Sequence, residues 1–267
     1  MRLAWAFFKR DALIALSYRM AFGAQFIGKL SLLMLFFFLS KTIGDRPLPI
    51  LARYGGDFLA FLLIGIALSD CVLLSLTSFA MQVREAQTTG TLEATLMSPV
   101  RLPVILFFSS LWDYFMSAAG FAFYLGAGAA LFGLKFAHFH FGVALSLFIL
   151  TVLCFAGVGI LWAGIVLLVK RGEAVRTVGG FVMVIMSGVF FPLSLMPQWV
   201  QSAARLIPLT DALEGMRLAL MQGYDFGQLS GIFIRLIFFA IVFLILGVSG
   251  FNSAVRIGKE MGSLTQY

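Results

Sequence analysis

Residues 58–103 read FLAFLLIGIALSDCVLLSLTSFAMQVREAQTTGTLEATLMSPVRLP. As far as Met81 the run is apolar, with Asp70 its one charged residue. At about 1.5 Å per residue it is long enough to cross the roughly 30 Å hydrocarbon core of a bilayer. From Arg84 the composition inverts. The stretch to Pro103 is polar, carries both signs of charge, has Gly90 near its centre, and gives way to a second membrane-length apolar run. It is the only long polar stretch in the first half of the chain, and it defines the frame: membrane helices with a polar connector held between two of them.

The rest of the chain agrees. Its 267 residues are 61% hydrophobic and 12% charged, with mean hydropathy +1.02. Soluble domains average roughly 25% charged residues, so a soluble core is excluded. The 19 Lys and Arg outnumber the 12 Asp and Glu. We read that excess as membrane orientation, because basic residues gather in cytoplasmic connections. No basic run reaches the length of a nucleic-acid tail, so no nucleic-acid partner is expected. Cys71 and Cys154 sit inside apolar runs as small apolar fillers, and neither a disulfide nor a metal site is expected of them.

Six segments have the length and apolarity of a span: 22–43, 58–81, 104–133, 141–169, 174–192 and 229–251. The third and fourth exceed the need, and are expected to tilt, to project, or to carry an interfacial turn. Six spans put both termini on one side. With a cytoplasmic amino terminus, the inner connections hold Arg2, Lys9, Arg10, Arg19, Arg84, Arg101, Lys170, Arg171, Arg176, Arg256 and Lys259. The outer ones hold Lys41, Arg46, Arg53, Lys135, Arg205 and Arg217. That count, about 11 against 6, places both termini in the cytoplasm. Residues 1–21 mix Trp5, Phe7, Phe8, Leu13 and Ile14 with four cations, the composition of a helix lying on the cytoplasmic leaflet; an ordinary basic tail is the alternative. Lys9, Arg10 and Asp11 break the apolar region that a cleavable leader requires, so the amino terminus is expected to be retained. No repeat, linker or low-complexity tract divides residues 1–267, which form a single membrane domain.

No G-x-x-x-x-G-K-[ST] loop is present to cradle nucleotide phosphates, and neither H-E-x-x-H nor C-x-x-C occurs. His138 and His140 share an outer turn without a third ligand nearby, so they read as interfacial polar residues. Within 84–99, Thr88, Thr89 and Gly90 interrupt the chain. Thr91 to Leu96 then reads as a short helix with Thr91 as N-cap, stopped by Ser98 and Pro99; Leu92 and Leu96 share one face. In 192–227, Pro192, Pro197 and Pro208 break the apolar continuity, and Pro197 and Pro208 each precede a helical stretch. Asp211 with Glu214 resembles a capping box. Leu209, Leu213, Met216 and Leu220 form an apolar stripe, with Glu214 and Arg217 off it. Two short helices dipping into the outer leaflet fit this pattern, and a surface loop with one amphipathic helix is the alternative. Asp70 and Asp113 are charges inside spans, best read as packing contacts; Lys29 and Arg235 lie nearer span ends and can snorkel. Ala118, Ala122, Gly126 and Ala130 form a small-residue ladder for close helix approach.

Two motif blocks carry a family resemblance. The first is Arg84 to Glu93 followed by Leu96-Met97-Ser98-Pro99. The second comprises Phe190-Phe191-Pro192, Met196 to Gln201, Ile207 to Thr210, and Leu213-Glu214-Gly215-Met216-Arg217. Together they resemble the coupling segment and the segment before the last span of type-2 ABC exporter permeases, over nearly the whole chain. The resemblance implies an all-α integral membrane fold: six transmembrane helices, an N-terminal interfacial helix, a cytoplasmic coupling helix and short re-entrant helices that close the outer mouth. It implies that Arg84, Glu85, Gly90, Thr91, Leu92 and Glu93 meet a separate nucleotide-binding ATPase subunit. ATP and Mg would then be bound on that partner, with no cofactor and no catalytic residue on this chain. A passage for a bulky cargo forms more readily between two copies of a six-span bundle than inside one. Spans with few polar groups suit an amphipathic cargo such as a lipid-linked glycan, a lipid or a hydrophobic drug. Trp162, Phe190, Phe191, Pro192 and Trp199 are candidates to line its path or outer gate, with ordinary packing among membrane lipids as their alternative. An ion-coupled secondary transporter is the main rival, although it lacks the paired broken helices or ion-coupling carboxylates it would need.

Overall fold

The computed structural model describes residues 2–43, 49–90, 102–134, 140–168 and 173–260. The expected helix at Thr91 to Leu96, its Ser98-Pro99 stop and His138 lie outside them.

Helix α1 (Arg2–Ser17) is followed at Tyr18 by a break and then α2 (Arg19–Ile43), and a short 3-10 turn (Pro49–Tyr54) leads to α3 (Phe58–Thr88). Asp57 caps α3, its carboxylate accepting from the Ala60 amide at 3.0 Å, which satisfies one of the amides orphaned at a helix start. The third apolar run forms α4 (Leu102–Ser109) and α5 (Leu111–Phe132), and the fourth forms α6 (Phe141–Leu168). The third run is broken by a turn at Ser110, inside the candidate span Phe107–Phe132. Then come α7 (Glu173–Met186), α8 (Gln198–Ala204), α9 (Pro208–Met221) and the final long helix α10 (Ser230–Glu260). Among the described residues, five helices have the length and apolarity to cross a membrane. The chain is a multi-pass, all-helical membrane protein over those residues.

The segment expected as a fifth span, 174–192, is helical over only part of its length. Its helix has 14 residues, about 21 Å at the usual rise and so shorter than the hydrocarbon core. Gly188 at φ 80 then turns the chain, and Pro192 opens a 3-10 turn at Leu193–Leu195.

Burial sorts the spans into centre and periphery. In α3, 78% of the span window is buried, against 6% in α2. The central helix is therefore α3, with α5 and α6 packed along it, and α10 lies along α6. The α6–α10 crossing depends on missing side chains: a Cβ on Gly247 would enter the Gly157 backbone, and one on Gly157 would meet the Phe243–Leu244 peptide. Small residues let membrane helices approach where no hydrophobic force drives them together. Of the ladder Ala118, Ala122, Gly126 and Ala130, only Ala118 packs against the core. Ala122, Gly126 and Ala130 are exposed, and it is Ser117, Gly120, Tyr124 and Gly128 that face inward. Cys71 and Cys154 are buried free thiols.

Candidate functional site

Both regions singled out from sequence lie at opposite ends of α3. At one end the helix runs unbroken through Arg84 and Glu85 to Thr88. With 31 residues it rises about 46 Å, more than the hydrocarbon core requires. The Thr89 amide closes onto the Glu85 carbonyl at 2.9 Å, and the Thr88 and Thr89 hydroxyls donate to the same carbonyl. Gly90 follows at φ 70, a left-handed turn that favours glycine. The stop expected at Thr88 to Gly90 is thus present, and it sits on a rigid rod. Arg84, Glu85 and Gly90 are exposed; Thr91, Leu92 and Glu93 lie outside the described residues.

At the other end α9 is wedged into the bundle. Pro197 precedes α8 and Pro208 occupies the first turn of α9, as their fixed φ favours. The residues of α9 from Pro208 to Leu220 are buried except Glu214, which is half-buried. Two expectations fail here. The N-cap of α9 is Ile207, and Asp211, already inside the helix, instead takes a bidentate ion pair from Arg235 of α10 at 2.8 and 2.9 Å. Arg217, expected off the apolar stripe and counted among outer loop charges, is only 3% exposed.

Burial of a guanidinium demands partners, and Arg217 has them. Nη1 donates to the Gly188 carbonyl at 3.0 Å, Nη2 to Val189 at 2.9 Å, and Nε and Nη2 to Phe61 at 3.3 Å. Its Cζ lies 3.4 Å from the Phe61 ring centroid and 5.9 Å from that of Tyr54, a cation–π arrangement. The Gly188 and Val189 carbonyls belong to the turn that breaks the chain after α7, where water cannot satisfy them. One arginine therefore closes the α7 break, seats α9 and pins both to α3. Gly65 makes room, since a Cβ there would stand 2.7 Å from the Val189 carbonyl oxygen and 2.8 Å from Nη2. Arg53 pairs with Glu214 over this junction. Burial, and then the nearby Glu214 charge, raise the Tyr54 phenol above its ordinary value.

The remaining candidates divide between these ends. Phe190 stacks on Phe36 of α2 at 6.1 Å, Pro192 is buried, and Phe191 and Trp199 are exposed, all near the α9 junction. Trp162 is elsewhere, on the turn of α6 whose Ala163 packs with Phe79 toward the other end of α3; its buried indole N–H has no partner. The span charges that sequence reading left separate are in fact paired. Lys29 reaches Asp70 across α5 and sits 5.2 Å from the Tyr124 ring, and Ser78 donates to Asp113. Lys29 and Arg235 therefore do more than snorkel. A sequence signal for Arg217 did exist: it is four residues after Leu213 and three before Leu220, on the buried stripe itself.

The family model described as ABC-2 family transporter protein matches residues 52–249, which take in both ends of α3, the α7 break and most of α10. The chain belongs to this family and is a transport permease of the ABC class, not itself a catalyst. No individual curated protein matches it.

Proposed function

We propose that this chain is the membrane permease of an ATP-driven exporter, works as a dimer, and takes its power from a separate nucleotide-binding subunit. One observation carries the reading. The central helix continues as a rigid rod past its apolar span, presents Arg84 and Glu85 in the open, and turns at Gly90 into the segment that resembles the family's coupling helix. A push on residues 84–93 is then carried along α3 to the α9 junction, because Arg217 binds the Phe61 carbonyl of the same helix. The Gly90 end is cytoplasmic in this reading, as are both termini, and the protein resides in the inner or plasma membrane. Helix α1 lies on the cytoplasmic leaflet, held to the bundle by Phe8 against Trp112 and Phe115 at 5.3 and 5.5 Å. ATP and Mg are bound by the partner.

The cargo is amphipathic: a lipid-linked glycan, a lipid or a hydrophobic drug. The mostly apolar faces of the peripheral helices support this, and so do the exposed rings of Phe191 and Trp199 near the α9 junction. That junction, with α8 and α9, serves as the outer gate.

The test is co-purification in detergent with the ATP-binding protein encoded nearest to this chain, with vanadate-sensitive ATP hydrolysis as readout. Glu93→Arg should leave the membrane bundle folded while weakening docking and hydrolysis. A variant that docks and stimulates its partner like the parent removes the coupling role.

A further inference from the structure

Asp70 lies midway along the apolar run of α3, about 18 Å from Phe58 and about 17 Å from Met81 along the helix. Lys29 pairs with it from α2. The ammonium is held on the α5 side, 5.2 Å from the Tyr124 ring, where Gly120 leaves it room. It covers only part of its partner: the Lys29 side chain is 19% exposed, that of Asp70 45%. Lipid tails offer nothing to such a group, and charged side chains in spans face the bundle interior or a water-filled path. The other span carboxylate, Asp113, is met within the bundle by Ser78.

The span of α3 is otherwise largely enclosed, and its more open residues trace one stripe: Ile66, Asp70, Leu74, Thr77 and Met81. They recur at three- and four-residue spacing, on a single helix face. Ala67 and Leu73 lie on opposite shoulders of Asp70, each about 60° round the helix. Ala67 packs with Leu33 of α2 and Tyr124 of α5. Leu73 packs on α7, where a Cβ on Gly180 would stand 2.9 Å from its Cδ2. The stripe therefore runs between α2 and α7. Toward the Phe61 end these two walls meet, with Phe36 of α2 stacked on Phe190 of the α7 break at 6.1 Å. From Lys29 to Phe36 the rise along α2 is about 10 Å. The Thr77 hydroxyl is already committed to the Leu74 carbonyl at 2.9 Å. What the stripe offers a ligand is thus apolar wall, a pair of rings at the outer end, and one half-open carboxylate at mid-depth.

We propose that Asp70 is a cation-binding residue in this groove, and that the cargo is an amphipathic cation. Its charge sits on the Asp70 carboxylate, and its apolar body lies along the groove toward Phe36 and Phe190. The proposal rests on the exporter reading and narrows the cargo named there. Ligand sites are mostly apolar with a few placed polar groups, and an ionic contact is strong away from water. Charge complementarity selects the sign. An anionic headgroup meets an open carboxylate, while the one cation beside it is already engaged. Lys29 is a positioning residue, which steadies the carboxylate and balances its charge while the groove is empty.

The test is equilibrium binding of tetraphenylphosphonium, a lipophilic cation, to the full chain in dodecyl maltoside, with binding to empty micelles subtracted. The parent should bind it saturably and should not so bind tetraphenylborate, which has the same shape and the opposite charge. Asp70→Asn should weaken phosphonium binding about tenfold or more. Asp113→Asn removes the same charge near Ser78, about 12 Å further along α3, and should stay within about twofold of the parent. Because Asp70→Asn leaves Lys29 without its counter-ion, the double variant Lys29→Gln with Asp70→Asn is made alongside. It leaves no unpaired charge and should lose the cation too. No saturable binding in the parent, equal binding of the two ions, or parent-like binding by the double variant overturns the proposal. So does a parent dimer that binds no phosphonium and that Asp70→Asn turns into a monomer in light scattering, because the groove then belongs to a second copy. The measurement needs no ATPase, so its failure is distinguishable from failure of the exporter reading.

Discussion

At the Phe61 end of α3, a guanidinium, three carbonyls, two aromatic rings and two ion pairs are gathered around a short helix buried along most of its length. At the Gly90 end, Arg84, Glu85, Thr88 and Thr89 stand exposed, and both threonine hydroxyls donate to a carbonyl of their own helix. The first end satisfies the Gly188 and Val189 carbonyls of its chain break internally, as irregular backbone within a membrane must. The second keeps its polar surface outward, which suits a face meant for another molecule. One rigid helix thus joins a closed polar junction to an open one.

The sharpest way to break this contrast is Arg217→Met. It removes a buried cation from three carbonyls and should cost on the order of 3–5 kcal/mol, seen as a large fall in thermal unfolding temperature in detergent. Parent-like stability would mean that the junction does not hold the α7 break. Gly65→Ala comes next. Its methyl must displace the Val189 carbonyl or the guanidinium, so a loss of about 1–3 kcal/mol is expected in the same assay; an unchanged midpoint would show that the close approach has slack. Asp211→Asn retains shape but loses the charge paired with Arg235, whose side chain is 53% exposed. An effect of about 0.5–1 kcal/mol is expected, and Asp211→Asn with Arg235→Gln should cost less than the sum of the two single changes. Smallest is Glu85→Gln. At an exposed site it should move stability by no more than about 0.5 kcal/mol, while weakening association with the ATPase. A marked loss of stability there would mean that the Gly90 end is as self-contained as the other.

The parts of this architecture legible in sequence were those set by local chemistry. Apolar length gave the long spans at 22–43, 58–81, 141–169 and 229–251, because a bilayer imposes that length on any helix crossing it. Proline marked the starts of α8 and α9, and Gly90 marked the left-handed turn, because each has a conformational preference of its own. What stayed hidden depends on partners far along the chain. Asp211 looked like a cap because Glu214 follows it at the right interval, yet its partner, Arg235, is 24 residues away. Arg217 was counted as a loop charge although its spacing puts it on the buried stripe; what local rules hide is its partners, the Gly188 and Val189 carbonyls. The run 174–192 looked like one continuous helix because hydropathy does not register a turn at Gly188 inside an apolar stretch. Lys29 and Asp70 are 41 residues apart and meet only because Gly120 leaves a gap between them. At the coupling segment, residues 84–90 are described and the helix expected from Thr91 is not, so its role rests on the resemblance and on the rod that leads to it.

The most direct test of the central claim is hydrogen–deuterium exchange of the full chain in nanodiscs, with and without the neighbouring ATP-binding protein. Peptides covering residues 84–93 should exchange fast alone and become protected when the ATPase is added. Peptides covering Pro208–Met221 should be protected in both conditions. Unchanged exchange at 84–93 in a complex shown to form would contradict the assignment of the Gly90 end as the surface that receives force.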